Sequence, residues 1–180
     1  MSLAQFPILS QTLRYPVQKL SIGFGDFAST KTMKIMKDII IKSSENPYIR
    51  NWAESIVVSC PNDNMARAAT LYNFLRSRTR YCRDMEKIEF IKTPPVSLQL
   101  LEVGGTPLLD CDDYTVLSLS LLSTLGYITK IRAVAYSSKR FEHVYGLCLV
   151  QGDYVPFDLV NPNGFSAEKM EIIRYTDLDV

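Results

Sequence analysis

One histidine, His143, serves the whole chain of 180 residues. Any histidine-dependent chemistry within this chain must therefore use that single ring. Four cysteines are present, at 60, 82, 111 and 148, and none forms a Cys-x-x-Cys pair. That spacing argues against a zinc site built from paired thiolates. Charge of one sign is also missing: 20 Lys and Arg offset 19 Asp and Glu, for a net charge of +1. No basic stripe of the kind that binds nucleic acid stands out, and no nucleic-acid partner is expected. No run approaches the ~20 apolar residues of a membrane span, so no membrane partner is expected. The opening "MSLAQFPILSQTLRYP" lacks the basic start, long apolar core and cleavage site of a signal peptide, which makes reduced thiols the expectation.

What is present describes one domain with a core. The composition is 47% hydrophobic and 22% charged, ordinary for a globular chain. Residues 1–30 carry Pro7, Pro16, Gly23 and Gly25 and read as an N-terminal arm, with a single domain over 31–180. The pattern predicts three helices next. The first places Met33, Met36, Ile39 and Ile40 on one face, capped by Ser29 or Thr30. The second is capped by Asn46 with Pro47 in its first turn and buries Ile49, Trp52, Ala53, Ile56 and Val57. The third, capped by Asn62 or Asp63, buries Met65, Ala68, Tyr72 and Leu75 and leaves Arg67, Arg76, Arg78 and Arg80 as solvated positions. Residues 81–110, with three prolines and Gly104-Gly105, read as a surface connector holding one short strand and one helical turn. "YITKIRAVAYS", "FEHVYGLCLV" and "DYVPFDLV" read as an antiparallel meander, and "EIIRY" as a further short strand. The fold class is α+β: helices, then a buried central helix packed on an antiparallel sheet.

The central helix opens with "LLDCDDYTVLSLSLLSTLG". Asp110 fits the N-cap, and Asp113 the acidic partner of a capping box. The body is apolar on nearly every side, which makes it a buried helix, and Gly126 stops it. Cys111 then occupies the first helical position, where the dipole and free N–H groups favour a thiolate. A cysteine at a helix start is also commonly a small hydrophobe. The polar neighbours Asp110, Asp112 and Asp113 favour the reactive reading over that one.

A thiol nucleophile needs a base within reach and a group to orient the base. His143 begins a strand row that continues through Leu147 and Leu149. On the following strand, Asp158 lies between Phe157 and Leu159. A tight turn at Gly152-Asp153 puts His143 opposite about residue 162, and a bulge brings it nearer 158–160. Cys111, Asp112, Asp113 and His143 also offer metal ligands. Consecutive helical residues diverge by ~100°, and Cys-Asp-Asp is not a usual zinc set, so no metal and no cofactor is expected. Gly104-Gly105 is not followed by the Gly-Lys-Ser/Thr of a phosphate loop.

"DCDD" before a leucine-rich helix, then "FEHVYGLCLV", then "YVPFDLV", resembles the transglutaminase-like superfamily of papain-like cysteine enzymes. "LYNFLRSRTRYCRD" and "EFIKTPPVSLQL" resemble that family's upstream helix and the segment leading to its cysteine. The pattern is most similar to small transglutaminase-like proteins of phages and prophages and spans about residues 30–160. The resemblance implies Cys111 as nucleophile, His143 as general base and acid, and Asp158 as the orienting carboxylate. It implies acyl transfer through a thioester, for a peptidase, amidase or transglutaminase. A protein or peptide substrate would follow, with virion structural proteins as further partners, in the host cytoplasm or on the virion. The alternative is a catalytically silent fold serving virion assembly or protein interaction. The oxyanion would meet the Cys111 N–H and a second donor drawn from Tyr145, Tyr114 or residues 102–109. Two departures stand out. "GGTPLL" intervenes where a glycine often directly precedes "DCDD", and Glu142 sits beside His143.

Overall fold

The computed structural model describes residues 25–84, 90–168 and 171–180, with side chains from residue 28. Most of the arm expected over residues 1–30 lies outside the described residues. Five helices and six strands follow in order: α1 (Gly25–Ser44), α2 (Pro47–Val57), α3 (Asn64–Arg78), β1 (Arg80–Tyr81), α4 (Pro94–Glu102), β2 (Leu108–Leu109), α5 (Cys111–Thr124), β3 (Thr129–Ala135), β4 (His143–Val150), β5 (Asp153–Phe157) and β6 (Arg174–Asp179). Helix α1 starts at Gly25, upstream of the expected Ser29 or Thr30 cap. No helix among the described residues is long and apolar enough to cross a membrane.

Capping chemistry sets the helix starts. The Asn46 side chain accepts from the Tyr48 N–H at 2.9 Å with Pro47 in the first turn, and Asp63, not Asn62, caps α3 through the Ala66 N–H at 2.6 Å. Helix α4 runs nine residues where the sequence suggests one turn. The reason lies in Pro94-Pro95: as breakers they end helices, but at a helix start their missing N–H groups would be unpaired anyway.

Helix α5 is the core. Every residue from Asp112 to Leu122 is buried, and α1, α2, α3, α4 and the sheet surround it. Gly126, with φ of 89°, supplies the left-handed residue that ends it. The main sheet is antiparallel in the order β5-β4-β3-β6, so β6 adds to β3 rather than extending the meander. It begins at Arg174, downstream of most of "EIIRY". Strands β1 and β2 form a separate parallel pair, Arg80 opposite Leu108 and Tyr81 opposite Leu109. This pair delivers the chain directly into the first turn of α5.

The β4–β5 hairpin closes through Gln151 and Gly152, both at positive φ, with Val150 paired to Asp153. The turn lies one residue earlier than a turn at Gly152-Asp153. That shifts every partner by two, and the ladder runs out to Gly146 opposite Phe157. Continued outward, it sets Tyr145 beside Asp158 and His143 beside Val160.

Candidate active site

Cys111 is the first residue of α5 and is half-buried. Both halves of the capping box form. The Asp110 carboxylate accepts from the Asp113 N–H at 3.3 Å, and Asp113 accepts from the Asp110 N–H at 3.4 Å. Asp113 is further held by Lys92, which donates its backbone N–H at 2.6 Å and its ammonium at 2.5 Å. Burial nevertheless pushes the Asp113 carboxyl up to about 6, with Lys92 opposing and Asp110 adding to the rise. Asp110, Asp112 and Asp113 offer oxygens within 4.8 Å of one another. Capping and the Lys92 ion pair account for two of these carboxylates.

His143 opens β4, and its Nε2 lies 2.8 Å from Asp158 Oδ2. The two side chains are 13% and 6% exposed. A carboxylate only accepts, so the contact places the proton on Nε2 and leaves the Nδ1 lone pair for other work. The second Asp158 oxygen accepts from the Val160 N–H at 3.0 Å.

Asp158 is held from behind by α3. The Tyr72 hydroxyl donates to the Asp158 carbonyl at 3.1 Å. Arg76 Nη1 donates to that hydroxyl at 3.0 Å, to the Leu159 carbonyl at 3.2 Å and to the Asn161 carbonyl at 2.7 Å. Arg76 is exposed, as its place among other arginines suggests, and is also a structural clamp on residues 158–161. The available signal was its spacing: four residues after Tyr72, it shares a face with the core stripe.

Thr115 connects the cysteine and the histidine strand. Its hydroxyl donates to the Cys111 carbonyl at 2.7 Å and leans toward the Val144 carbonyl at 3.3 Å. The carbonyls of Cys111, in the first turn of α5, and of Val144, one residue along β4 from His143, thus converge on one hydroxyl. Gly146 allows the approach: a Cβ there would lie 2.5 Å from Leu119 Cδ2 of α5.

From Tyr145 onward, the row that His143 opens faces the side of the sheet away from the main core. Val144, Cys148 and Val150 pack into the main core, whereas Tyr145 and Leu147 form a second cluster with Val134, Tyr136 and Ile172. The His143 ring is stacked between Tyr136 and Tyr145, with centroids at 6.3 and 5.7 Å and interplanar angles of 27° and 28°. Glu142 turns from the imidazole to the β3–β4 loop, where the Ser137 hydroxyl donates to it at 2.7 Å; that bond and others from Ser138 and backbone N–H groups hold its carboxyl below the usual range.

Two tyrosines expected as oxyanion donors are committed elsewhere. Tyr114 meets the Thr79 hydroxyl at 3.0 Å inside the core, and Tyr145 donates to Glu168. Tyr81 of β1 is different. It is 47% exposed, and its hydroxyl is pushed up by partial burial and then by the negative charge of Cys111 and Asp110, against a hydrogen bond with Arg83. Its place in "LYNFLRSRTRYCRD", five residues after Arg76, was the sequence signal for it.

No family model matches the chain, and no curated protein matches it. Among solved structures it is similar to a candidate protease from Parabacteroides distasonis, with a TM-score of 0.56 and 11% identity, over 78% of this chain and 30% of that one. It is also similar to a candidate cysteine protease from Cytophaga hutchinsonii, with a TM-score of 0.48 and 13% identity, over 72% of this chain and 42% of that one. The chain thus spans less than half the length of each. At such identities the Parabacteroides likeness bears on fold alone. It fits the order of this chain, helices first and then an antiparallel sheet.

Proposed function

We propose that this protein is a cysteine-dependent acyl-transfer enzyme acting on a protein or peptide amide, with Cys111 as nucleophile, His143 as base and acid, and Asp158 as the orienting carboxylate. The observation that carries the reading is the His143–Asp158 contact at 2.8 Å on the strand that Thr115 ties to the Cys111 turn. The chain's one histidine has its Nε2 committed to a carboxylate, which is the arrangement a base at Nδ1 requires.

The steps follow from these atoms. His143 Nδ1 takes the Cys111 proton, and the thiolate forms a C–S bond with the substrate carbonyl carbon. The carbonyl π electrons move to oxygen, which meets the Cys111 N–H at the positive end of α5. Tyr81, paired with Leu109 two residues before Cys111, is the side chain we assign as second donor. The imidazolium returns the proton to the leaving nitrogen as the C–N bond breaks. Water or an amine, deprotonated by His143, then opens the thioester and restores the thiol. The buried Asp158 keeps Nε2–H in place through both halves and stabilises the imidazolium. An ion pair between Cys111 and His143 also reconciles a thiolate with its aspartate neighbours.

Alkylation with iodoacetamide near neutral pH, mapped by peptide mass, tests the reading. Cys82 is exposed and Cys111 only half-buried, so exposure alone favours Cys82. Burial pushes the Cys148 thiol up to about 12, which makes it an inert control. Cys111 is expected to label at least about tenfold faster than Cys82, an advantage lost in His143→Ala. Labelling led by Cys82, or insensitive to His143→Ala, would leave a fold used for protein interaction without turnover. An acyl-probe adduct at Cys111, read by intact mass, would then identify the acyl class.

A further inference from the structure

We propose that Glu168 and Asp177, which lie beyond the sequence resemblance, complete the candidate site by orienting His143 through Tyr145. Four consecutive contacts carry the inference. Asp177 of the edge strand β6 holds Arg132 of β3 by two bonds of 2.8 Å, to Nε and to Nη2. Arg132 Nη1 also bonds Glu168 Oε1 at 2.9 Å. The same Glu168 oxygen accepts from the Tyr145 hydroxyl. The Tyr145 ring lies under the His143 imidazole at 5.7 Å.

The arrangement is more than an apolar cluster requires. Tyr145 is only 3% exposed, so its hydroxyl needs a partner, and a carboxylate fixed by an arginine is a strong one. Arg132 is itself held by two carboxylates, a bidentate contact with Asp177 and a single one with Glu168, which leaves it little rotational freedom. A tyrosine with both ends fixed presents a rigid π-face. Such a face favours imidazolium over neutral imidazole and resists rotation of the ring away from Asp158. Tyr145 is therefore a positioning residue, with Glu168, Arg132 and Asp177 as its anchor. This rests on the reading of His143 as the base.

The charged and titratable groups around the imidazole are Asp158 after β5, Glu142 and Tyr136 at the β3–β4 loop, and Tyr145 and Glu168 on the same sheet face. Tyr145 links the ring to Glu168 and, through Arg132, to Asp177 of β6.

The single histidine makes the test clean, because ring-labelled protein gives one set of imidazole NMR signals with no assignment problem. In Tyr145→Leu the ring-current shift that the lost aromatic gives the His143 signals is expected to vanish. Tyr145→Phe and Glu168→Gln keep the ring but cut the anchor. They are expected to slow Cys111 alkylation about threefold or more at fixed pH with the fold intact by circular dichroism. The proposal is overturned if both leave the alkylation rate at the wild-type value from pH 5 to 9 with His143 signals superimposed. Should Tyr145→Leu not fold, those two variants decide. If wild-type Cys111 labels no faster than Cys82, the acyl-transfer reading fails, and the His143 signals of the three variants alone judge the positioning contact.

Discussion

Strand β4 has two faces that do different work. Its even-numbered residues, Val144, Gly146, Cys148 and Val150, lie against α5 and contribute apolar contact. Its odd-numbered residues Tyr145 and Leu147 lie on the far side, where stacking on the His143 ring and a chain of ion pairs replace oily packing. The inner face supplies the free energy of folding. The outer face has fewer apolar neighbours to offer and instead supplies orientation. A strand shared in this way can hold an imidazole rigidly without sealing it into the main core, because its neighbours in sequence pack there instead.

The largest expected effect lies on the inner face. Leu119 is fully buried and is the residue that fills the space above Gly146. Leu119→Ala should cost about 2–5 kcal/mol, read as a lower urea midpoint with an unchanged slope. Gly146→Ala should cost about 1–3 kcal/mol through the clash with Leu119, and the double variant should cost less than the two added together. His143 ring signals should not move in any of them. Movement as large as in the Tyr145 variants would show that the two faces are not separable.

The inner face was the part of the molecule most legible in the sequence. The Ile49, Trp52, Ala53, Val57 stripe and the Asp110 capping box follow from periodicity and local hydrogen bonding, and the structure has them. The contacts that complete the site are long-range, and short-range rules do not reach them. Arg76 meets the carbonyls of residues 159 and 161, and Arg132 meets Glu168, across intervals that depend on how the elements pack. The hairpin register was misjudged for a related reason. Gln151 adopts positive φ, which its side chain does not advertise, so the turn lies one residue earlier than the Gly152-Asp153 pair indicates. The row that includes His143 was legible as a row, but the sequence alone did not say which face met α5.

Arg76 offers the next effect in size and joins the two halves. It rises from a core helix to clamp the segment that carries Asp158. Arg76→Met removes a charged donor from two carbonyls and from the Tyr72 hydroxyl, at an expected cost of about 2–3 kcal/mol. Arg76→Lys should recover only part of this, since an ammonium lacks the fork that spans several acceptors. If Arg76 acts on the site as well as on stability, the Val160 amide, which donates to Asp158, should exchange faster in Arg76→Met under conditions where the core amides remain protected. Val160 protection equal to wild type would confine Arg76 to the inner-face role.

The smallest effect separates the two carboxylates most concerned with the site. Asp158 serves the imidazole, whereas Asp113 caps α5 and pairs with Lys92. The Asp113 side chain is fully buried while that of Lys92 is about a quarter exposed, so the carboxylate loses more hydration than its partner returns. Its folded value of about 6 lies above the ordinary carboxylate value. Holding the proton more tightly when folded stabilises the protein below pH ~4, and that contribution is lost as pH rises through about 6. The stability of wild type relative to Asp113→Asn should therefore fall by about 1–3 kcal/mol between pH 4 and 7, measured by urea unfolding at each pH. A relative stability that instead rises over that interval would mean that Lys92 outweighs burial. Asp113 would then hold its charge as firmly as Asp158 is required to, and the division of labour between the two carboxylates would disappear.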